Sequence, residues 1–112
     1  MNSIVVKVHL TKRWREPGSA GVQEVDVEDQ ASIQRVQEFL TPGDRVEYHV
    51  RSPFTPTYYI RQQDSVGAIV DEVRVVGGGI IVQDQGSFKV REPGLREFLD
   101  QLIQECLAKR KG

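Results

Sequence analysis

The sequence predicts an α+β domain: a curved antiparallel sheet of five to seven strands, with a short middle helix and a long C-terminal amphipathic helix packed on one face. Three observations carry this expectation. From Gly94 to Lys109, Leu95, Phe98, Leu99, Leu102, Ile103, Cys106 and Leu107 recur at steps of three and four. That spacing winds one broad apolar stripe around a helix of about 3.6 residues per turn. Several shorter segments alternate apolar and polar residues, the pattern of half-buried strands. Short turns rich in Pro, Gly and Asp separate them, which makes neighbouring strands antiparallel.

The strands and helices follow in order. Ile4 to about Lys12 alternates, with Ile4, Val6, Val8 and Leu10 on one side and Val5, Lys7, His9 and Thr11 on the other. Glu16-Pro17-Gly18-Ser19-Ala20-Gly21 has turn composition, and a second strand runs from Val22 to about Glu28 with Val25 and Val27 inward. Asp29 can cap a helix over residues 30–40, whose stripe is Ile33, Val36, Phe39 and Leu40. Thr41-Pro42-Gly43-Asp44 stops it, and Arg45 to Arg51 alternates again, with Val46, Tyr48 and Val50 inward. Ser52-Pro53-Phe54-Thr55-Pro56 reads as a rigid loop, and Thr57 to Gln62 as a strand by its β-branched and aromatic content.

Residues 64–76 fit two patterns. Val66, Ile69, Val70 and Val73 suit a helix face, but the valine content and Gly67 favour a strand over 68–76. Gly77-Gly78-Gly79 turns the chain into Ile80–Gln83, and Asp84-Gln85-Gly86-Ser87 turns it again into Phe88–Glu92. The last helix then has Glu97 and Asp100 near its start and Lys109-Arg110-Lys111 at its end, both suited to the helix dipole.

Bulk properties bound the function. A chain of 112 residues is read as one domain over 1–112. The net charge of −1 gives no global attraction for nucleic acid or an anionic membrane, so such affinity needs a local patch. One cysteine excludes an internal disulfide framework and a cysteine zinc site; Cys106, on the apolar stripe, reads as a buried small hydrophobe. The start has no basic region before a long apolar run, since Lys7 and His9 interrupt it. Neither a signal peptide nor a membrane span is expected, and the expected location is cytoplasmic.

Signatures of chemistry are sparse. A phosphate loop leads into a helix, whereas the triple glycine leads into Ile80-Ile81-Val82 without a Lys-Ser or Lys-Thr pair. His9 and His49 fall on the polar side of their strands, but two histidines without a third ligand make no metal site. No serine sits in a glycine-flanked elbow. No catalytic residue, metal ligand or cofactor is therefore assigned.

Two stretches read as contact surfaces. Arg51-Ser52-Pro53-Phe54-Thr55-Pro56-Thr57-Tyr58-Tyr59-Ile60-Arg61 concentrates three of the chain's eight aromatic residues (one Trp, three Tyr, four Phe) between two arginines. Tyrosine and arginine dominate recognition surfaces, and prolines lower the entropy lost on binding. Alternation allows only one of Tyr58 and Tyr59 to point inward. In Lys12-Arg13-Trp14-Arg15, a tryptophan between cations at a strand end could stack a base while the arginines take phosphates.

The first expectation is a small non-catalytic module that binds a protein partner or a second copy of itself. It would use Arg51, Phe54, Tyr58, Tyr59 and Arg61, with the strand Thr57–Gln62 free to extend a sheet. The second is nucleic-acid binding through Arg13, Trp14, Arg15, Arg51 and Arg61, with Tyr58 or Tyr59 stacking, if these gather on one face. The third is a small enzyme working in a cleft between the sheet and the 52–56 loop, where an apolar pocket with a carboxyl of raised pKa would be the sign.

Overall fold

A computed structural model describes residues 4–16, 18–47, 57–76, 79–83, 86–90 and 94–111. Its elements are β1 (Lys7–Glu16), β2 (Ser19–Val27), α1 (Gln30–Phe39), β3 (Pro42–Arg45), β4 (Thr57–Gln63), β5 (Ile69–Val76), β6 (Ile80–Gln83), β7 (Gly86–Val90) and α2 (Leu95–Lys111). The strands form one seven-stranded sheet in the order β2-β1-β4-β5-β6-β7-β3, every pair antiparallel. The chain is thus α+β, with its last helix C-terminal. No helix among the described residues is long and apolar enough to cross a membrane.

Alternation gives the sheet two unlike faces. Val8 and Leu10 of β1 pair with Val27 and Val25 of β2 and with Gln62 and Ile60 of β4. Ile60 in turn faces Val73, and Tyr58 faces Val75, which pairs with Ile81. All but Gln62 join Ile33, Val36 and Phe39 of α1 and Leu95, Leu99, Leu102 and Ile103 of α2 in one core. Fully burying one such aliphatic side chain is worth about 1.5–3 kcal/mol, so this face holds the domain together. Phe39 and Phe98 stack with centroids 5.3 Å apart and tie the two helices. The stripe Leu95–Leu107 faces this core as its spacing requires, with Phe98, Cys106 and Leu107 half-buried at its border. Gln62 is the buried polar exception, and its amide is answered: Gln37 Nε2 donates to its Oε1 at 3.1 Å, and its Nε2 donates to Asp71 at 3.3 Å.

Local chemistry sets the ends. Asp29 caps α1, its carboxylate accepting from the amide and hydroxyl of Ser32 at 3.0 and 2.8 Å, and these bonds hold its carboxyl below the usual range. Residues 64–76 are resolved in favour of the strand, as β5 from Ile69. A turn precedes it, in which Asp64 Oδ1 accepts from the amides of Val66 and Ala68, each at 3.0 Å.

Three expectations about extent are corrected. First, β1 runs on through Arg15, because Glu16 pairs with Ser19 across a tight turn containing Gly18 at φ 80°. At its other end Ile4 is exposed while Val5 is buried, so the alternation read from Ile4 begins only at Lys7. Second, where a strand was expected from Arg45 onward, the described residues form β3, Pro42–Arg45, with Val46 and Glu47 beyond its end; it pairs with β7 through Pro42–Val90 and Arg45–Phe88. Pro42 fits there because β3 is the last strand of the sheet and begins with it. Tyr48 to Arg51 lie outside the described residues. Third, β4 is central: β1 pairs with one side and β5 with the other, so Thr57–Gln62 has no free edge on which to extend a sheet.

Trp14 belongs to the core face and pairs with Gly21. Its indole lies so close over Gly21 that a Cβ there would run into the six-membered ring. Gly21→Val is expected to displace the indole at a cost of about 1–3 kcal/mol. Because Trp14 is the sole tryptophan, a red-shifted emission and stronger acrylamide quenching will read the displacement directly.

Candidate interaction surface

The face of the sheet opposite the helices carries the side chains that alternation turns outward. Across it, Asp26, His9, Arg61 and Glu72 form one row, and Glu24, Thr11, Tyr59, Arg74, Val82 and Ser87 the next. The first row is closed by its own contacts. His9 Nδ1 lies 2.7 Å from Asp26 Oδ1, and its Nε2 lies 3.6 Å from Glu24. Arg61 Nε is 3.6 Å from Glu72, and Lys7 Nζ is 3.8 Å from Glu28. These are partly exposed pairs worth little stability each, and they hold the side chains of that end of the face against one another.

The neighbouring row differs. Tyr59 sits between Arg13, whose guanidinium carbon is 6.0 Å from the ring centroid, and Arg74, directly opposite on β5. Neither arginine has a carboxylate partner among the described residues. Adjacent strands lie about 4.8 Å apart, so β1, β4 and β5 present the three side chains as one patch. Beside it runs a groove of about 570 Å³, lined by Tyr59, Ile69, Val70, Asp71, Glu72, Val73, Arg74, Val82 and Gln83.

The eight residues singled out from the sequence are therefore divided. Arg13, Tyr59 and Arg61 share the outer face. Trp14 and Tyr58 fall on the core face, because they alternate with Arg13 and Tyr59. Tyr58 is only 1 % exposed and is part of the core rather than a contact residue. Arg51 and Phe54, and the side chain of Arg15, lie outside the described residues, as does His49. Of the patch expected for nucleic acid, Arg13, Arg61 and Tyr59 thus share a face, and Trp14 lies on the other. Arg74, Glu72 and Val82 were missed by sequence reasoning, although the alternation Val73-Arg74-Val75 marks Arg74 as outward.

On the core face, Tyr58 and Lys12 converge on one carboxylate of α2. The Tyr58 hydroxyl donates to Asp100 Oδ1 at 2.7 Å and Lys12 Nζ donates to the same oxygen at 2.8 Å. The Lys12 ammonium also lies 5.8 Å from the Tyr58 ring centroid and 6.0 Å from that of Trp14. Burial pushes the Tyr58 hydroxyl well above its ordinary pKa, the bond to Asp100 pushes it further, and Arg96 partly offsets both. This cluster clamps α2 to β1 and β4. Cys106 is half-buried, its Sγ 3.8 Å from the carbonyl of Asp26. Among the described residues, no group of three or more His, Cys, Asp or Glu is placed to hold a metal ion. Comparison with protein-family models, with curated proteins and with solved structures gave no match.

The raised pKa of Tyr58 has a stability consequence. A group whose pKa is higher in the folded state contributes stability that is complete below its unfolded pKa, about 10, and is lost as pH rises above it. Wild-type stability is expected to fall above that pH, and Tyr58→Phe to flatten this alkaline limb. At neutral pH the same variant should lose about 1.5–3 kcal/mol, the worth of a hydrogen bond to a charged acceptor, measured by urea unfolding.

Proposed function

We propose that the protein is a small non-catalytic binding module that engages a protein partner through the outer face of its sheet, centred on Tyr59. The observation that carries this reading is the placement of Tyr59 between Arg13 and Arg74 at the border of the groove along β5. Tyr and Arg supply large contact area with polar ends, and they hold most of the binding energy where they occur together. The surroundings are of mixed sign, with Glu72 and Asp71 in the same groove as Arg74. A mixed-charge protein surface suits that lining better than a polyanion does. Arg51 and Phe54 join the proposed contact on sequence grounds alone, and the cytoplasmic location belongs to the same proposal.

A second reading, binding of single-stranded nucleic acid, is favoured by one specific observation: Arg13 and Arg74 flank Tyr59 without carboxylate partners among the described residues. A ring between two cations can stack a base while they take its phosphates. The enzyme reading gains no such support, since its cleft was to be walled by the 52–56 loop, outside the described residues.

One pair of measurements separates the first two readings. Wild-type protein and Tyr59→Ala, each immobilised, are compared as baits for the proteins of the source cell by quantitative mass spectrometry. A partner held through this face should be lost by at least about tenfold in Tyr59→Ala, as truncating a central contact residue costs about 2 kcal/mol or more. Unchanged capture of every protein would sink the protein reading. Anisotropy of labelled single-stranded oligonucleotides at about 50 and 200 mM salt supplies the alternative, where binding that collapses at the higher salt replaces the first reading with the second.

A further inference from the structure

Granted that the outer face binds a protein, as proposed above, we infer that the partner presents an acidic segment to it. One carboxylate of that segment meets Arg13, another meets Arg74, and an apolar side chain between them lies on Tyr59.

Charge on this face is unevenly answered. Its acids lie against bases of the same chain: Asp26 is 2.7 Å from His9, Glu24 is 3.6 Å from the same ring, Glu28 is 3.8 Å from Lys7 and Glu72 is 3.6 Å from Arg61. Asp71, which lines the groove, accepts from Gln62 Nε2 at 3.3 Å. Arg13 and Arg74 are both exposed, and neither has a carboxylate partner among the described residues. The charge left for a partner to answer is therefore positive, and it stands on two sides of one aromatic ring.

The strands fix the spacing of that demand. Arg13 pairs with Thr57 of β4, and Arg74 pairs with Tyr59, two positions further along the same strand. Strands about 4.8 Å apart, rising about 3.4 Å per residue, put the two arginine backbones about 12 Å from each other. An extended segment rises about 13 Å over four positions, and its side chains at i, i+2 and i+4 point the same way. Acids at i and i+4 thus reach both arginines, and the side chain at i+2 reaches the Tyr59 ring. Each guanidinium can take a carboxylate through two parallel N–H bonds, and the ring supplies apolar contact between them.

Separate carboxylates fit this face better than a run of phosphates. Glu72 lies two positions from Arg74 on β5, and Glu24 lies two positions from Val22, the residue paired with Arg13. A chain charged at every residue would bring anions against one of these acids, whereas two spaced acids with an apolar residue midway pass between them.

Selection from a displayed library of random peptides, each about twelve residues and so up to about 40 Å when extended, tests the inference. Peptides retained by the wild-type protein should be enriched in Asp and Glu, with two acids four positions apart and an apolar residue midway. Synthesised and labelled, they should bind the double variant Arg13→Gln, Arg74→Gln at least about tenfold more weakly in anisotropy, the loss of two exposed ion pairs. Arg74→Glu should instead select peptides with Lys or Arg at one of the two positions. Lys109→Gln, which removes an exposed charge from α2, should bind as the wild type does. All these sites are exposed, so the thermal midpoints should stay at the wild-type value. Retained peptides that are neutral or basic overturn the inference, as do peptides that the double variant binds as tightly as the wild type, or a selection that retains none. Oligonucleotide binding that the double variant loses, with no acidic peptide retained, assigns the arginines to phosphate and overturns it too. Tyr59→Ala separates this result from the reading beneath it. Peptides lost by Tyr59→Ala but kept by the double variant leave the face as a contact surface without an acidic partner, whereas peptides kept by both place the contact elsewhere and overturn both readings.

Discussion

The structure depends on the burial of one sheet face beneath α2. Leu95, Leu99, Leu102 and Ile103 close over valines and isoleucines drawn from β1, β2, β4, β5 and β6, with α1 filling the rest of the layer. A one-residue slip in any central strand would turn its aliphatic side chains to water and bring charges into the core. For β1 alone that exchange replaces Val8 and Leu10 with Lys7 and His9. At about 1.5–3 kcal/mol per aliphatic side chain, such a slip approaches the whole net stability of a small domain, about 5–15 kcal/mol. The register is therefore held from the core side, and every outer-face arrangement follows from it.

Much of this was legible in the sequence, for a physical reason. Helical and strand periods are local properties, so the stripe of α2, the cap at Asp29 and the inward Val25 and Val27 could be read directly. Alternation also required one of Tyr58 and Tyr59 to be buried. Which one was not legible, because the answer lies in a long-range pairing, Ile60 against Leu10, that places Tyr58 beside Lys12 on the core side. The same limit hid the central position of β4 and the meeting of Lys12 with Asp100, 88 positions apart in the chain. The run Val66 to Val70 fitted two patterns, and the strand that begins in it at Ile69 leaves Val66, Ile69 and Val70 exposed.

The outer face owes its character to how its charges are distributed. Where an acid stands beside a base on a neighbouring strand, as Asp26 beside His9 and Glu72 beside Arg61, the two side chains answer one another. One row further on, past Glu24, come Thr11, Tyr59, Arg74 and Val82, with Arg13 reaching the Tyr59 ring from the row beyond. The contact proposed above is centred on this second row. The core face shows the converse, since Asp100 draws Lys12 and Tyr58 together and uses their polarity to fasten a helix.

The position of α2 along the chain bears on how the molecule is made. It follows every strand, so during synthesis the sheet's apolar face is complete before its cover has been translated. Until then the hairpins can form locally, but Val8, Ile60, Val73 and Ile81 have only α1 to shelter them. β3 waits as well, because its partner β7 is translated long after it. The apolar face of the sheet is thus fully covered only once α2 has been made, and before that it is surface of the kind chaperones recognise.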